Sequence, residues 1–284
     1  EMCIRDSTTL ETQKEKFNEA LNDFVNNATM YSSEYEREKY VNDYIIANCV
    51  YDDEAAYNNN TKGNVSNAYG VLVDGKAICE GYARAFQLLC NKLGIECVSI
   101  AGMTGDVGHE WNCAKIDGNW YQVDVTWNDS EDEFSNYYYF NLTDEQMYSS
   151  HRADDLFDEI EPDNYNNDEN LIGNLYVPEC NSTEYNYYNQ TAPILYAFDE
   201  ENDNTISNAL ANSAVNGDNY FNIIVDDSLD FEDAYSTLVQ DGYVVNYIES
   251  ANNMLWGEVE LDTSSYAYKN DTLRVITIVL NYIN

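Results

Sequence analysis

Three side chains have the types and the chain order needed for nucleophilic attack on an acyl group. Cys79 supplies a thiol, His109 an imidazole 30 residues later, and Asp124 a carboxylate 15 residues further on. In such a set the thiolate attacks the carbonyl carbon, the imidazole takes the thiol proton, and the carboxylate fixes the imidazole tautomer and stabilises the imidazolium. Taken singly, each residue has a simpler explanation, as a buried thiol, a core histidine or an aspartate that accepts backbone hydrogen bonds. Their joint occurrence predicts a catalytic triad.

Cys79 lies where the chain passes from an extended segment into a predicted helix. The approach contains a turn at Gly75, and Gly94 marks the predicted end of the helix. The N–H groups and the dipole at a helix start stabilise a thiolate, and the same N–H groups can hold an oxyanion. The apolar positions that share one face of this helix are Ala83, Phe86, Leu89, Cys90 and Leu93. The sequence therefore predicts a nucleophile at a helix N-terminus.

A tight turn connects the segments that carry His109 and Asp124. The Asp117-Gly118 pair is typical of two-residue hairpin turns, which fix the register of the strands they join. In that register Trp111 faces Asp124, so His109 and Asp124 are diagonal neighbours on one face, with backbones about 7–8 Å apart. Their side chains can close this distance to a hydrogen bond. A single bulge in either strand would place His109 and Asp124 on opposite faces of the sheet.

Helices and strands are predicted on both sides of this hairpin. Two N-terminal helices are expected at 10–25 and 33–49, the second started by a capping box of Ser33 and Glu36, and three strands at 97–101, 109–116 and 120–127. Towards the C-terminus, strand and helix patterns alternate at 194–198, 206–215, 221–225, 231–240 and 243–248, and further apolar segments follow at 256–261 and 273–282. All three prolines, Pro162, Pro178 and Pro193, lie in an Asn-, Asp- and Glu-rich stretch typical of a connector. We expect a larger domain at 8–180 and a smaller α+β domain at 181–284.

Four segments around the triad resemble those of bacterial transglutaminase-like proteins. They are NAYGVL at 67–72, GKAICEGYA at 75–83, GHEWN at 108–112 and GNWYQVDVTW at 118–127. The resemblance covers about residues 35–150 and keeps the order of the family's cysteine, histidine and aspartate. It implies a papain-like α+β core, in which helices pack on an antiparallel sheet, with Cys79, His109 and Asp124 as the triad.

Two aromatic residues are weaker candidates for the site. Tyr69 lies upstream of Cys79 and could assist an oxyanion, although core packing explains an aromatic residue there equally well. Trp111 could line the cleft, but strand tryptophans are commonly part of a core. His151 follows a predicted helix that begins at Thr143 and could lie near the cleft, but we do not include it among the site residues.

Composition argues against several other classes of function. The 52 acidic residues against 13 basic ones give a formal charge of −39, which would repel nucleic acid. Seven cysteines without a CxxC pair, together with only two histidines, argue against a zinc site, and the acidic runs lack the pattern of a calcium loop. We therefore expect no metal, no cofactor, no membrane span, and buried thiols at the other cysteines, with a Cys90–Cys97 disulfide as the alternative.

The expected chemistry is attack of the Cys79 thiolate on a peptide or glutamine-type amide through a thioester. Hydrolysis of peptides is favoured, because the chain lacks the additional β-sandwich domains of the large animal cross-linking enzymes. Protein cross-linking remains an alternative, and so does a non-catalytic cell-surface binding module, since fold does not fix function. The resemblance implies a secreted or envelope-associated protein whose substrate is a protein or peptide, including cell-wall or cell-surface peptides.

Overall fold

The computed structural model describes residues 2–58, 62–153, 177–257 and 259–283, with only the backbone described for residues 2–9. Part of the predicted connector, including Pro162, lies outside the described residues. The chain divides into two compact units, Glu1–Thr183 and Glu184–Asn284. Within the described ranges, no helix has both the length and the apolar character that a membrane crossing requires.

Helices and an antiparallel sheet make up the first unit. Its helices are α1 (Met2–Ala28), α2 (Glu34–Asn48), α3 (Asp53–Tyr57), α4 (Cys79–Lys92), α5 (Val125–Asn128) and α6 (Asp144–Met147). Its strands are β1 (Val50–Tyr51), β2 (Lys76–Ala77), β3 (Glu96–Thr104), β4 (Val107–Ile116), β5 (Asn119–Val123) and β6 (His151–Ala153). The sheet has the order β5-β4-β3-β6, β1 and β2 form a separate parallel pair, and α4 packs on β3 and β4. This confirms the predicted α+β core of helices packed on an antiparallel sheet.

The hairpin between β4 and β5 has the predicted register. Ile116 pairs with Asn119, and the ladder continues to Asn112 opposite Val123. The turn residues Asp117 and Gly118 both have positive φ, 46° and 91°, as a two-residue hairpin of this kind requires. The register on which the approach of His109 to Asp124 was predicted is therefore confirmed.

The strand predicted to continue to residue 127 ends earlier, at Val123. Asp124 instead caps α5, because one oxygen of its carboxylate accepts the backbone N–H groups of Thr126 and Trp127 at 2.9 and 3.2 Å. Its own N–H donates to the carbonyl of Tyr139 and not to β4. An aspartate that satisfies the first N–H groups of a turn favours helix initiation over extension of the strand.

Local signals at two helix ends behave as predicted. The capping box of Ser33 and Glu36 is present at the start of α2, with both reciprocal hydrogen bonds formed. Gly94 follows α4 with φ +81°, and Ile95 N–H donates back to the Cys90 carbonyl. Glycine adopts this left-handed conformation without steric cost, so the helix that starts at Cys79 ends where the sequence predicts.

The second unit is a smaller α+β arrangement. Its helices are α7 (Tyr187–Thr191), α8 (Glu200–Asn216), α9 (Phe231–Tyr235) and α10 (Val244–Leu255), and its strands are β7 (Ile194–Leu195), β8 (Tyr220–Val225), β9 (Ala267–Asn270) and β10 (Val275–Val279). The sheet has the order β7-β8-β10-β9. The alternating pattern predicted a strand at 243–248, and this prediction is wrong. Those residues begin α10, whose buried positions Val244, Tyr247, Ile248, Ala251 and Leu255 have helical spacing.

Candidate active site

Cys79 is the first residue of α4 and is only partly buried. The N-cap residue is Ile78, which offers no side-chain acceptor to the first turn of the helix. A Cβ on Gly81 would lie 2.4 Å from the carbonyl oxygen of Val65, so only glycine lets the preceding loop lie against this turn. The loop and the glycine together place the thiol at the start of the helix, as the sequence predicts.

A buried asparagine connects the helix of Cys79 to the strand of His109. Asn112 on β4 is fully buried and donates through Nδ2 to the carbonyl oxygen of Ala83 in α4 at 3.0 Å. The same Nδ2 donates to the carbonyl oxygen of Val98 on β3 at 3.3 Å, so one buried amide joins α4 to the sheet and favours one position of the helix. The amide of Asn112 therefore helps to fix the helix of Cys79 relative to the strand of His109.

His109 and Asp124 form a short, buried contact. His109 Nε2 lies 2.6 Å from Asp124 Oδ2, and the two side chains are 6% and 1% exposed. Because Nε2 is committed to the carboxylate, Nδ1 is the imidazole nitrogen left for the thiol of Cys79. This nitrogen is the one through which the imidazole exchanges a proton with the reacting groups.

Burial and charge act in opposite directions on this pair. Burial alone would lower the pKa of His109, but the charge of Asp124 and the hydrogen bonds to Asp124 and Cys79 raise it to about 10. Burial would likewise raise the pKa of Asp124, yet the charge of His109 and the hydrogen bonds from His109 and His151 lower it to about 2. At neutral pH the pair is therefore a carboxylate and an imidazolium next to Cys79. This arrangement stabilises a thiolate through charge.

Aromatic rings surround the imidazole of His109. Trp111 is buried with its ring stacked 6.2 Å from that of His109, and it donates through Nε1 to Gln122 at 2.7 Å. Trp127 is partly exposed and its ring lies 6.0 Å from that of His109. Trp111 thus packs behind the imidazole, whereas Trp127 stands at its exposed side. A cleft role for Trp111 stays a prediction.

Two tyrosines lie upstream of Cys79 in the sequence. Tyr69, for which the sequence leaves an oxyanion role and core packing both open, stacks on Phe17 of α1 at 6.1 Å, and its role in the site stays a prediction. Tyr51, to which the sequence assigned no role, interacts with both the backbone and the thiol of Cys79. Burial and the charge of Cys79 raise the pKa of Tyr51 to about 12, so its hydroxyl keeps its proton and can donate at neutral pH.

His151 is the site residue that sequence reasoning set aside. Its Nε2 lies 3.0 Å from Asp124 Oδ2, the same oxygen that His109 approaches. With only two histidines in the chain, the one available signal was that a scarce residue type follows the triad within a short distance. The ring nitrogens of His109 and His151 and the carboxylate oxygen of Asp124 lie within 4.8 Å of one another. These atoms are of the types that bind metal ions in proteins. Hydrogen bonds already join them, and they account for the arrangement without an ion.

The other described thiols differ from Cys79 in exposure. Each is free and buried, as predicted: Cys49, Cys90, Cys97, Cys113 and Cys180. The side chain of Cys3 lies outside the described residues. Among the described thiols, Cys79 is therefore the one that a reagent in solution can reach.

Comparisons with known proteins show what the sequence is similar to. Residues 21–125 match the model of the transglutaminase-like superfamily. The mouse protein named kyphoscoliosis peptidase is 28% identical over 167 residues, which is 55% of this chain and 24% of the mouse protein. The human kyphoscoliosis peptidase is 30% identical over 69 residues, or 20% of this chain and 10% of the human protein. The chain thus spans a quarter or less of the length of these relatives.

Two solved structures resemble part of the chain. One is described as a crystal structure of a TGase, with 22% identity, a TM-score of 0.35, and coverage of 41% of this chain and 32% of that one. The other is described as a candidate cysteine protease from Cytophaga hutchinsonii, with 19% identity, a TM-score of 0.31, and coverage of 40% and 37%.

Proposed function

Because residues 21–125 belong to the transglutaminase-like superfamily, we propose that this chain is a cysteine-dependent acyl-transfer enzyme that hydrolyses peptide amides. The observation that carries the proposal is the 2.6 Å contact between His109 and the buried Asp124, beside an accessible thiol at the start of α4. Cys79 is the nucleophile, His109 the acid that protonates the leaving amine and then the base that takes a proton from water, and Asp124 the residue that orients His109.

The first half of the reaction forms a thioester. The Cys79 thiolate, paired with the His109 imidazolium, adds to the carbonyl carbon, whose π electrons move to oxygen. Backbone N–H groups at the start of α4 and the hydroxyl of Tyr51 are the donors available to this oxyanion. When the C–N bond breaks, the imidazolium returns its proton to the leaving amine.

The second half releases the acid. His109 takes a proton from water, whose oxygen adds to the thioester carbonyl, and the C–S bond breaks as the thiolate leaves. The carboxylic acid departs and the thiolate–imidazolium pair is restored, so no oxidant or further reactant is needed. An amine in place of water would give a cross-link. The peptidase names of the mouse and human relatives support water as the acceptor. A protein or cell-wall peptide as substrate, met outside the cell or in its envelope, forms part of this proposal.

Selective alkylation tests the thiolate without knowledge of the substrate. Brief treatment with limiting iodoacetamide at pH 6, followed by intact mass measurement and peptide mapping, should label Cys79 alone among the described thiols. The labelling should disappear in Cys79→Ser and fall strongly in His109→Ala. If labelling does not depend on His109, or if the wild type is not labelled, the proposal of an enzyme is refuted and a binding module is favoured.

Denatured casein then distinguishes hydrolysis from cross-linking. We expect new casein peptides whose formation requires Cys79, with little incorporation of a biotin-labelled pentylamine. Incorporation of the amine that exceeds cleavage would instead assign the chain to the cross-linking class. Casein left unchanged by a protein whose Cys79 is readily alkylated would refute the peptidase assignment.

A further inference from the structure

The Asp124 carboxylate accepts hydrogen bonds from two imidazoles on one oxygen. His109 Nε2 lies 2.6 Å and His151 Nε2 lies 3.0 Å from Oδ2. The His151 side chain is fully buried, and it lies outside the residues that match the superfamily model. A second buried imidazole on a carboxylate that already holds one calls for a physical explanation.

The charge of Asp124 determines which nitrogen of His151 carries hydrogen. The pKa of Asp124 is lowered to about 2 despite its burial, so the carboxylate is ionised and can only accept. His151 must therefore donate through Nε2. Its Nδ1 lies 2.8 Å from the hydroxyl of Ser150, which can donate or accept and so satisfies this nitrogen in either state. Both ring nitrogens of His151 thus have a partner.

The sheet is shaped to admit the strand that carries His151. Strand β6 pairs with the edge of β3, with His151 opposite Thr104. A Cβ on Gly102 would lie 2.2 Å from the carbonyl oxygen of Arg152 and 2.6 Å from the ring of Trp111. Only glycine at this position lets β6 and the tryptophan ring approach as they do. The rings of Trp111 and Trp127 then lie 5.1 and 4.6 Å from that of His151 and hold it in place.

We propose that His151 is a positioning residue that shares Asp124 Oδ2 with His109 and so sets how strongly Asp124 holds the His109 imidazolium. The inference rests on the proposed acyl-transfer function. A hydrogen bond donated to a carboxylate stabilises its charged form and weakens its attraction for other protons. Without His151, Asp124 would hold the proton of His109 more tightly, and the imidazolium would give it less readily to the leaving amine.

Other ionisable groups face this cluster from neighbouring elements. Cys79 approaches His109 from α4, and Glu110 lies beside it on β4 with a hydrogen bond to Ser99. Tyr139 interacts with Asp124 and with the hydroxyl of Ser150. These groups remain in a His151 variant, so a changed titration of His109 reports the loss of His151 itself.

The chain contains only two histidines, so nitrogen NMR of histidine-labelled protein follows each imidazole directly. In His151→Leu the titration midpoint of His109 should rise by about 0.5–1 pH unit, the effect of removing one hydrogen bond. The kcat for casein should fall several-fold at unchanged KM. His151→Gln, whose amide N–H can reach Oδ2, should restore both the midpoint and the kcat. If the leucine variant does not fold, His151→Asn takes its place, because its amide is too short to reach Oδ2, and it should show the changes expected of the leucine variant.

An unchanged midpoint and kcat in the leucine or asparagine variant would overturn the proposal, as would a glutamine variant that restores neither. The titration needs no turnover, so the two proposals fail separately. If casein is not cleaved but the midpoint moves as expected, the assignment of His151 stands and the peptidase function does not. If casein is cleaved and the midpoint of His109 does not move, the peptidase function stands and the assignment of His151 does not.

Discussion

Replacing Asp124 by asparagine keeps the size of the side chain and removes its charge. Oδ1 accepts from the backbone N–H groups of Thr126 and Trp127, so the amide oxygen of the asparagine must take that position. The amide nitrogen then faces His109, which has to accept through Nε2 and carry its hydrogen on Nδ1. That nitrogen is the one left for the thiol, so His109 can no longer take the proton of Cys79.

The size of the effect follows from the pKa of His109, which is raised from 6.5 to about 10. This corresponds to roughly 5 kcal/mol at about 1.4 kcal/mol for each pH unit. We expect about half to be lost, because water and nearby dipoles reorganise around the neutral side chain. The rate of Cys79 alkylation at pH 6 should therefore fall about 10²-fold.

The assay compares alkylation rates of wild type and Asp124→Asn from pH 5 to pH 11. Asp106→Asn is the matched control, since this exposed carboxylate lies in the turn between β3 and β4. Equal rates and equal pH profiles for wild type and Asp124→Asn would refute the reasoning. A lower rate in the Asp106 variant as well would point to a loss of overall negative charge instead.

The same variant should differ in the pH dependence of its stability. The lowered pKa of Asp124 means that its contribution is present above its ordinary value near 4 and is lost as the pH falls through about 2. The raised pKa of His109 means that its contribution is present below 6.5 and is lost as the pH rises through about 10. Wild type should thus exceed Asp124→Asn in Tm most clearly between about pH 4 and 6.5.

Three further changes test the framework of the site. Burial raises the pKa of Glu38 to about 8, so the native state loses stability as the pH rises through this value. Glu38→Gln should therefore add on the order of a few kcal/mol to the unfolding free energy at pH 9 but little at pH 5. An equal change in Tm at both pH values, or the same behaviour in the exposed control Glu131→Gln, would contradict this. Gly81→Ala should lower the unfolding free energy in a denaturant titration by about 2 kcal/mol or more and slow alkylation at pH 6, because its Cβ would lie 2.4 Å from a carbonyl oxygen. Gly108→Ala is the control, since a Cβ there has open space and should leave the unfolding free energy unchanged. Ser33→Ala removes the capping box of α2 and should lower the unfolding free energy by about 1 kcal/mol, without changing the pH profile of alkylation.

The parts that could be predicted from sequence depend on neighbouring residues. A two-residue turn fixes the register of β4 and β5, so the approach of His109 to Asp124 follows from Asp117-Gly118 and the parity of the strands. The start of α2 and the end of α4 follow in the same way from side chains within one turn of the helix terminus. In each case the signal and the structure lie within a few residues of each other.

The parts that could not be predicted depend on distant pairings or on ambiguous periods. His151 reaches Asp124 because β6 pairs with β3 almost 50 residues earlier, and no local signal specifies that pairing. The segment 243–248 is too short to separate a period of two from one of 3.6, and the helix became evident only through Ala251 and Leu255 further on. Strand β5 ends before Asp124 because the Asp124 carboxylate accepts backbone N–H groups at the start of α5. The alternation of apolar residues, from which the strand was predicted, contains no signal for this cap.

The two-residue turn makes the length of the β4–β5 hairpin a property on which the site depends. Because successive side chains point to opposite faces, one residue inserted or deleted between His109 and the turn would send the imidazole to the other face of the sheet. A substitution in this stretch changes one contact, whereas a single-codon insertion or deletion would separate the two partners altogether. Variation in length among natural relatives should therefore fall outside the segment from His109 to Asp124, and a library of one-residue insertions should show a sharp gap there.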